Sequence, residues 1–476
     1  MTKALSLLLC LALLFSLAPV EIHAEEEEPV TLDLAQGSIV ISATGYAQGG
    51  GAETPYTGDY TIVQTDTTYV DKTIAVTGGA HKITMGSKVV IDVHAISDAC
   101  AFSIATGASV ELVLTRSVTL KSGSNKAGLA VPSGAAVTIS AESRYGALNA
   151  VGGDSGAGIG GAYNGSSSTG GNITILSGTV EATGGSSAAG IGGYGTGTGK
   201  DEQIHISGGK VTATGGSGSA GIGGGSGYSG TGENGQIIID GTAVVTATGR
   251  SGAGIGGGHT GNGTGTKGKV ILAGNSQVTA SSDSGAGIGS GPAFRSGNNN
   301  WPTSATGSYG EILITGDAVV EASADSGAGI GGGKPYANYG AVSSYGTGSN
   351  GKLTINGNAQ VTATSTQAAG IGGGYNSGSS SYLTNDAGVI SISGNARVET
   401  TGGRWGIGAD AYKNDGALKI SGGTVIARAT DETVTTACGI GKSGSTTITG
   451  GTVEASGYTG IAQATVNGGT VTATSL

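Results

Sequence analysis

The stretch GKLTINGNAQVTATSTQAAGIGGG, from Gly351 to Gly374, contains three short segments in which apolar and polar residues alternate. The segments are KLTIN, QVTAT and AAGIG, and most residues between them are small or polar. Alternation with a period of two is typical of a β-strand with one buried face, and glycine and asparagine are typical of tight corners. The stretch therefore predicts three short strands. Their inward side chains are predicted to be Leu353 and Ile355, then Val361 and Ala363, then Ala369 and Ile371.

Near-copies of this unit recur along most of the chain. Each copy has one central hydrophobic residue in its glycine-rich segment, and from Ile159 onward successive central residues lie 21 to 42 residues apart. A repeat of this length indicates a solenoid. The central residues are Phe102, Leu129, Ile159, Ile191, Ile222, Ile255, Ile288, Ile330, Ile371, Ile407, Ile440 and Ile461.

Three short strands per repeat, stacked coil upon coil, predict an all-β fold, a parallel β-helix of about twelve coils. A helical solenoid is excluded because no helical periodicity is present and Gly, Thr and Val are poor helix formers. The 476 residues include 98 Gly but only 7 Pro, which excludes collagen. The net charge of −10, with few clusters of Lys and Arg, argues against nucleic acid or an anionic membrane as a partner.

The chain divides into three predicted parts. Lys3, the apolar run that follows it and the small residue Ala24 indicate a signal peptide over residues 1–24, so we expect a secreted or cell-surface protein with no membrane insertion. Residues 25–98 have a looser strand pattern and are predicted to be an N-terminal β cap region. Residues 99–476 are predicted to be the β-helix. Its last strand, in TVTATSL, would leave an open edge, which predicts end-to-end self-association.

The longest insertions follow the GIGGG segments and are rich in aromatic residues. Tyrosine and tryptophan beside Gly, Ser and Asn suit sugar rings, which offer both C–H faces and hydroxyls. The alternative is that these rings fold back and hold long glycine loops onto the helix. The candidate ligand-binding residues are Tyr163, Tyr194, Tyr228, Trp301, Tyr309, Tyr336, Tyr339, Tyr345, Tyr375 and Tyr382.

Two further features concern the corners. Asp154, Arg250, Asp283 and Asp325 each lie five residues before a central isoleucine, which predicts a charged column on the corner opposite the insertions. The column is interpreted as a partial salt-bridge ladder or, alternatively, as a calcium site between Asp283 and Asp325. The glycines of SGAGIGGG are predicted to face outward, either to permit the bends or to form a flat docking strip. The sequence contains no recognisable catalytic constellation and predicts no metal site and no cofactor.

The motifs GGTVTATSL, GGKVTATGG and SGAGIGGG resemble those of secreted and surface proteins of Gram-positive anaerobes. Those proteins are right-handed β-helices of the pectate-lyase-like type, and the resemblance implies a carbohydrate-binding or adhesin-like role. We therefore expect a non-catalytic surface or adhesion protein that binds polysaccharide through its aromatic loop edge. The alternatives are a self-assembling structural protein of the extracellular space and, third, a polysaccharide lyase or hydrolase.

Overall fold

The structure is a computed structural model. It describes residues 28–68, 70–163, 170–194, 203–227, 235–259, 264–265, 268–295, 304–307, 310–337, 345–347, 351–375, 383–384, 388–409, 416–441 and 445–476, and the short strands inside the insertions are described by their backbone alone. The predicted signal peptide, residues 1–24, lies outside these residues.

The described chain is a right-handed parallel β-helix with three ladders of strands, which we call sheets 1, 2 and 3. Sheet 1 contains Val30–Asp33, Tyr60–Val63, Ala80–Met85, Ser109–Leu114, Ala136–Ala141, Asn172–Ile175, Gln203–Ile206, Gln236–Ile239, Lys269–Leu272, Glu311–Ile314, Lys352–Ile355, Val389–Ile392, the first parts of the long strands Ala417–Ala429 and Ser445–Gly457, and Thr465–Val466. Sheet 2 contains Val89–Asp92, Ser117–Lys121, Ala147–Val151, Thr179–Thr183, Lys210–Thr214, Val244–Gly249, Gln277–Ser282, Val319–Ala324, Gln360–Ser365, Arg397–Gly402, the second parts of the two long strands, and Thr470–Ser475.

Sheet 3 is built from the shortest strands and carries the central hydrophobic residues. Its parallel strands are Ile39–Ile41, Ile74–Val76, Phe102–Ile104, Leu129–Ala130, Ile159–Gly160, Ile191–Gly192, Ile222–Gly223, Ile255–Gly256, Ile288–Gly289, Ile330–Gly331, Ala369–Gly372, Trp405–Gly408, Cys438–Ile440 and Thr459–Ile461. The predicted column is confirmed: Ile222 pairs with Ile255, and Ile255 with Ile288, in register. These isoleucines are fully buried in one continuous core with the inward residues of sheets 1 and 2.

The strands of residues 30–92 pair in register with the later coils, so the three ladders run through the predicted cap region. A hairpin, Gly45–Gln48 with Thr54–Pro55, adds to the edge of sheet 3 in antiparallel orientation. At the same end, the side-chain amide of Gln64 accepts a hydrogen bond from the Val90 backbone N–H and donates one to its carbonyl. These contacts satisfy backbone groups at a sheet edge, as a cap must. The domain boundary at residue 98 remains a prediction. The only helix among the described residues is the short 3-10 turn Leu34–Gln36.

The glycine-rich segment is not a flat strand with bare glycines outside, so that prediction is wrong. The Ala253 N–H donates to the Gly257 carbonyl across 2.8 Å. This bond closes residues 253–257 into a narrow loop, which we call the tongue, with the buried Ile255 at its inner tip. Gly254 and Gly256 are buried. A Cβ on Gly254 would lie 2.6 Å from the Gly287 carbonyl oxygen, and Gly256 has a φ of +130°. Glycine is therefore required by close approach between coils and by left-handed backbone.

Because each tongue turns back on itself, the corners before and after it lie side by side. The backbone N–H of Lys334 donates to the Ser284 carbonyl at 2.9 Å, and that of Tyr375 donates to the Ser326 carbonyl at 2.8 Å. Ser284 and Ser326 directly follow the charged residues Asp283 and Asp325. The prediction that the charged column lies opposite the insertions is therefore wrong.

Candidate functional site

A groove lined mainly by polar side chains and glycines, which we call the polar groove, runs along the corner where the strands of sheet 2 end. It has two stretches, of about 640 Å³ and about 430 Å³. The first extends from His94 to Arg250, and the second begins beside it at Thr248 and Gly249 and extends to Thr366. The groove therefore follows the helix axis across many coils.

From Thr183 onward, one wall of the groove is a ladder of hydroxyl groups, and the two preceding positions of the same column are Lys121 and Val151. Each rung is the last outward side chain of a sheet 2 strand, and consecutive rungs are paired in register. The rungs are Thr183, Thr214, Thr248, Ser281, Ser323 and Thr364. The Ser281 hydroxyl donates to the Thr248 hydroxyl at 3.4 Å, so neighbouring rungs are within contact. With a strand spacing of about 4.8 Å, the ladder extends over roughly 24 Å.

The other wall is the column that lies five residues before each central isoleucine, and every position in it along the groove is polar. Its members are Asp154, Ser186, Ser217, Arg250, Asp283, Asp325 and Thr366. Glycines such as Gly153, Gly185 and Gly216 lie between the walls. Since glycine has no side chain, a ligand here would meet the backbone directly.

The charges of this wall do not form the predicted salt-bridge ladder. Within the described part of the chain, no ion pair joins Arg250 to Asp283. Asp325 instead accepts a hydrogen bond from the side-chain amide of Gln367 at 3.1 Å. The backbone still stacks as predicted, because the Asp283 N–H donates to the Arg250 carbonyl at 3.0 Å.

At the N-terminal end of the groove the basic side chains have a partner. Lys121 lies 3.1 Å from Asp92, and the His94 ring also contacts that carboxylate. Partial burial raises the pKa of Asp92, but the hydrogen bonds from His94 and Lys121 outweigh it and hold that pKa below its ordinary value. The described residues include no group of three or more His, Cys, Asp or Glu placed to hold a metal ion.

Three of the ten predicted aromatic residues have described side chains. Tyr194 packs against the buried alanines Ala157 and Ala188, and Tyr163 contacts Tyr194 edge-on with 5.8 Å between ring centroids. Tyr163 is 40% exposed. Tyr375 is partly buried, with the Arg404 guanidinium 4.9 Å and the Lys334 ammonium 5.8 Å from its ring centroid. Its ring therefore already contacts two cations.

For two more of the ten predicted aromatic residues, Tyr336 and Tyr345, the structure gives the position of the backbone alone. Strand Pro335–Ala337 puts Tyr336 in register with Phe294 of Ala293–Arg295. Strand Tyr345–Thr347 belongs to a four-stranded parallel sheet with Thr264–Gly265, Ser304–Gly307 and Leu383–Thr384. The insertions of successive coils therefore stack as the coils do. Tyr228, Trp301, Tyr309, Tyr339 and Tyr382 lie outside the described residues.

The two cysteines of the described chain are free thiols. Cys438 packs with Ala369 and Trp405, in register with Trp405. Burial raises the pKa of the Cys100 thiol to about 11. Burial also raises the pKa of the Cys438 thiol, so both thiols are protonated at neutral pH. Cys438 is buried and Cys100 is half-buried. No helix among the described residues has the length and apolar character needed to span a membrane.

Six segments of the chain match a family model described as a beta helix repeat: residues 173–197, 204–226, 237–259, 274–292, 312–334 and 353–375. All but one begin at or within a residue of a sheet 1 strand, and each extends past the sheet 3 tongue, so one match corresponds to one coil. The matched segments include all six rungs of the hydroxyl ladder. No curated protein matches the chain, and no solved structure does.

Proposed function

We propose that this right-handed parallel β-helix of the pectate-lyase-like type binds polysaccharide outside the cell, without cleaving it, through the polar groove. The observation that carries the proposal is the pair of polar walls, which repeat coil after coil along the axis. Secretion, a place on the cell surface and the resemblance to surface proteins of Gram-positive anaerobes belong to the same proposal.

The spacing of the walls suits a chain ligand. Rungs recur at about 4.8 Å, close to the length of one sugar residue, so successive sugars would meet equivalent hydroxyls. A serine or threonine hydroxyl both donates and accepts hydrogen bonds, as sugar hydroxyls do. Each such bond contributes little because it replaces one to water, about 0.5–1.5 kcal/mol. Several acting along one chain would give useful affinity.

The aromatic insertions belong to the same binding surface in this proposal. Their first residues lie beside the charged wall, as the backbone contact from Tyr375 to Ser326 indicates. Exposed rings such as Tyr163 would contact the C–H faces of sugars that lie in the groove. The aromatic loop edge would therefore add to the groove rather than act alone.

The test uses three threonines of the hydroxyl ladder. Thr214→Val, Thr248→Val and Thr364→Val together remove three hydroxyls while keeping the side-chain shape. The matched control is Thr212→Val, Thr246→Val and Thr362→Val, which changes the same strands two residues earlier, outside the groove lining. Affinity electrophoresis in gels that contain soluble polysaccharides measures binding.

We expect the ladder variant to bind at least tenfold more weakly and the control to bind as the unchanged protein does, with equal melting temperatures. Equal binding by both variants would refute the groove as the site. A parallel assay for reducing ends separates binding from hydrolysis or lyase activity, because only an enzyme would release them.

A further inference from the structure

Arg250 is the one basic residue of the described groove lining whose side chain has no partner. It is exposed, lies in the wall between Ser217 and Asp283, and forms no ion pair, hydrogen bond through its guanidinium or ring contact with any described residue. Lys121, the other strong cation in the groove lining, is paired with Asp92. Arg250 also lies where the two stretches of the groove meet, near the middle of their length.

We infer that Arg250 binds an acidic group, a carboxylate or sulfate, on the polysaccharide; the inference rests on the proposed function. A guanidinium presents five N–H donors in a planar fork that matches such anions in a bidentate manner. An unpaired guanidinium on a groove wall needs no internal ion pair to be broken before it binds. The ligand therefore belongs to the class of acidic glycans.

The neighbouring charges restrict the pattern of acidic groups further. On one side of Arg250 the next two wall positions are Asp283 and Asp325, and on the other side they are Ser217 and Ser186. Acidic sugars placed over Asp283 and Asp325 would meet like charges, which is unfavourable even near a surface. The groove therefore favours an acidic sugar flanked by neutral sugars over a polymer in which every sugar is acidic.

Three soluble probes test this pattern: gellan, whose glucuronates are separated by neutral sugars; polygalacturonate, in which every sugar is acidic; and a neutral mixed-linkage β-glucan. The variants are Arg250→Gln, which removes the charge, and Arg250→Lys, which keeps it but loses the planar fork. Binding is measured by affinity electrophoresis at low and at high salt.

We expect the unchanged protein to bind gellan most tightly, and Arg250→Gln to bind it roughly tenfold more weakly, as is usual for a lost charged hydrogen bond. The affinity of Arg250→Lys for gellan should lie between that of the unchanged protein and that of Arg250→Gln. Neutral β-glucan binding should be the same in all three proteins. The double change Asp283→Asn and Asp325→Asn should strengthen binding to polygalacturonate.

The outcomes separate the two proposals. Binding to β-glucan with no preference for gellan and no effect of Arg250→Gln would overturn the inference and leave the groove proposal standing. Preference for polygalacturonate over gellan in the unchanged protein would overturn the pattern argued from Asp283 and Asp325. If the unchanged protein binds no probe and the ladder and control variants cannot be told apart on any polysaccharide, both proposals fail.

Discussion

At the scale of single residues, the core depends on one isoleucine per coil. Ile255 is fully buried between Ile222 and Ile288. Replacing Ile255 with Ala should lower the free energy of unfolding of that region by roughly 2–5 kcal/mol, whereas Ile255→Val should cost about 0.5–1.5 kcal/mol. Hydrogen exchange measures the effect coil by coil.

Because coils of a solenoid contact mainly their neighbours, the loss of protection in Ile255→Ala should be greatest near residues 222–288. A uniform loss over all coils would contradict this nearest-neighbour picture.

The glycines of the tongue offer a second prediction at this scale. In Gly254→Ala the new methyl group would lie 2.6 Å from the Gly287 carbonyl oxygen and 2.7 Å from the Ser281 nitrogen, closer than real contacts allow. We expect the free energy of unfolding to fall by about 1–3 kcal/mol or more, the usual cost of overpacking, seen as a lower melting temperature. Gly78→Ala is the control, because its nearest neighbour would be 3.7 Å away. Similar melting temperatures for the two variants would show that the tongue adapts easily.

The sequence predicted the isoleucine column correctly but not the role of these glycines. Alternation with a period of two marks Ile255 as inward whether the segment is a strand or a tongue, so the core position was readable. The bond from Ala253 to Gly257 that closes the tongue is a local backbone contact without a side-chain signature. For the same reason, the sequence did not predict that the charged column and the insertions lie side by side.

At the scale of elements, the sheet 2 strands show why the groove could not be predicted from the sequence. Thr246 and Thr248 are both outward residues of Val244–Gly249, and the alternation of the sequence does not distinguish one from the other. Only the position of the strand end beside the tongue makes Thr248 part of the groove and leaves Thr246 outside its lining. The charged column itself was predicted, because its fixed distance from the central isoleucine is a sequence property.

The first insertions allow the two roles of tyrosine to be separated. Tyr194 packs against Ala157 and Ala188, and Ala188 and Tyr194 form an antiparallel bridge, whereas Tyr163 is 40% exposed. Tyr194→Ala should therefore increase hydrogen exchange around residues 188–194 by removing buried apolar area. Tyr163→Ala should leave exchange there almost unchanged and weaken polysaccharide binding.

Two measurements, hydrogen exchange and affinity electrophoresis, check both variants. If Tyr194→Ala exchanged as slowly as the unchanged protein, the ring would not hold the loop. If Tyr163→Ala bound normally, that ring would not be a ligand contact.

At the scale of the whole molecule, the three ladders and the groove share one axis. Strand Thr470–Ser475 is largely exposed, as are Val466 and Leu476. End-to-end association through this strand remains a prediction, and sedimentation velocity at increasing protein concentration would reveal it as a rising mean mass. Such association would join the axes of two helices and extend their polar walls.

The repetition of the hydroxyl rungs has a consequence for how a ligand would move. Thr214, Thr248 and Ser281 offer nearly the same contacts, so a neutral chain shifted by one coil would find an almost equal energy. Such a ligand would occupy many translational states and diffuse lengthwise without leaving the protein. A negative charge on the ligand would pair with Arg250 and make one position along the groove more favourable than the others. A single side chain would therefore fix the position of an acidic ligand that could otherwise slide.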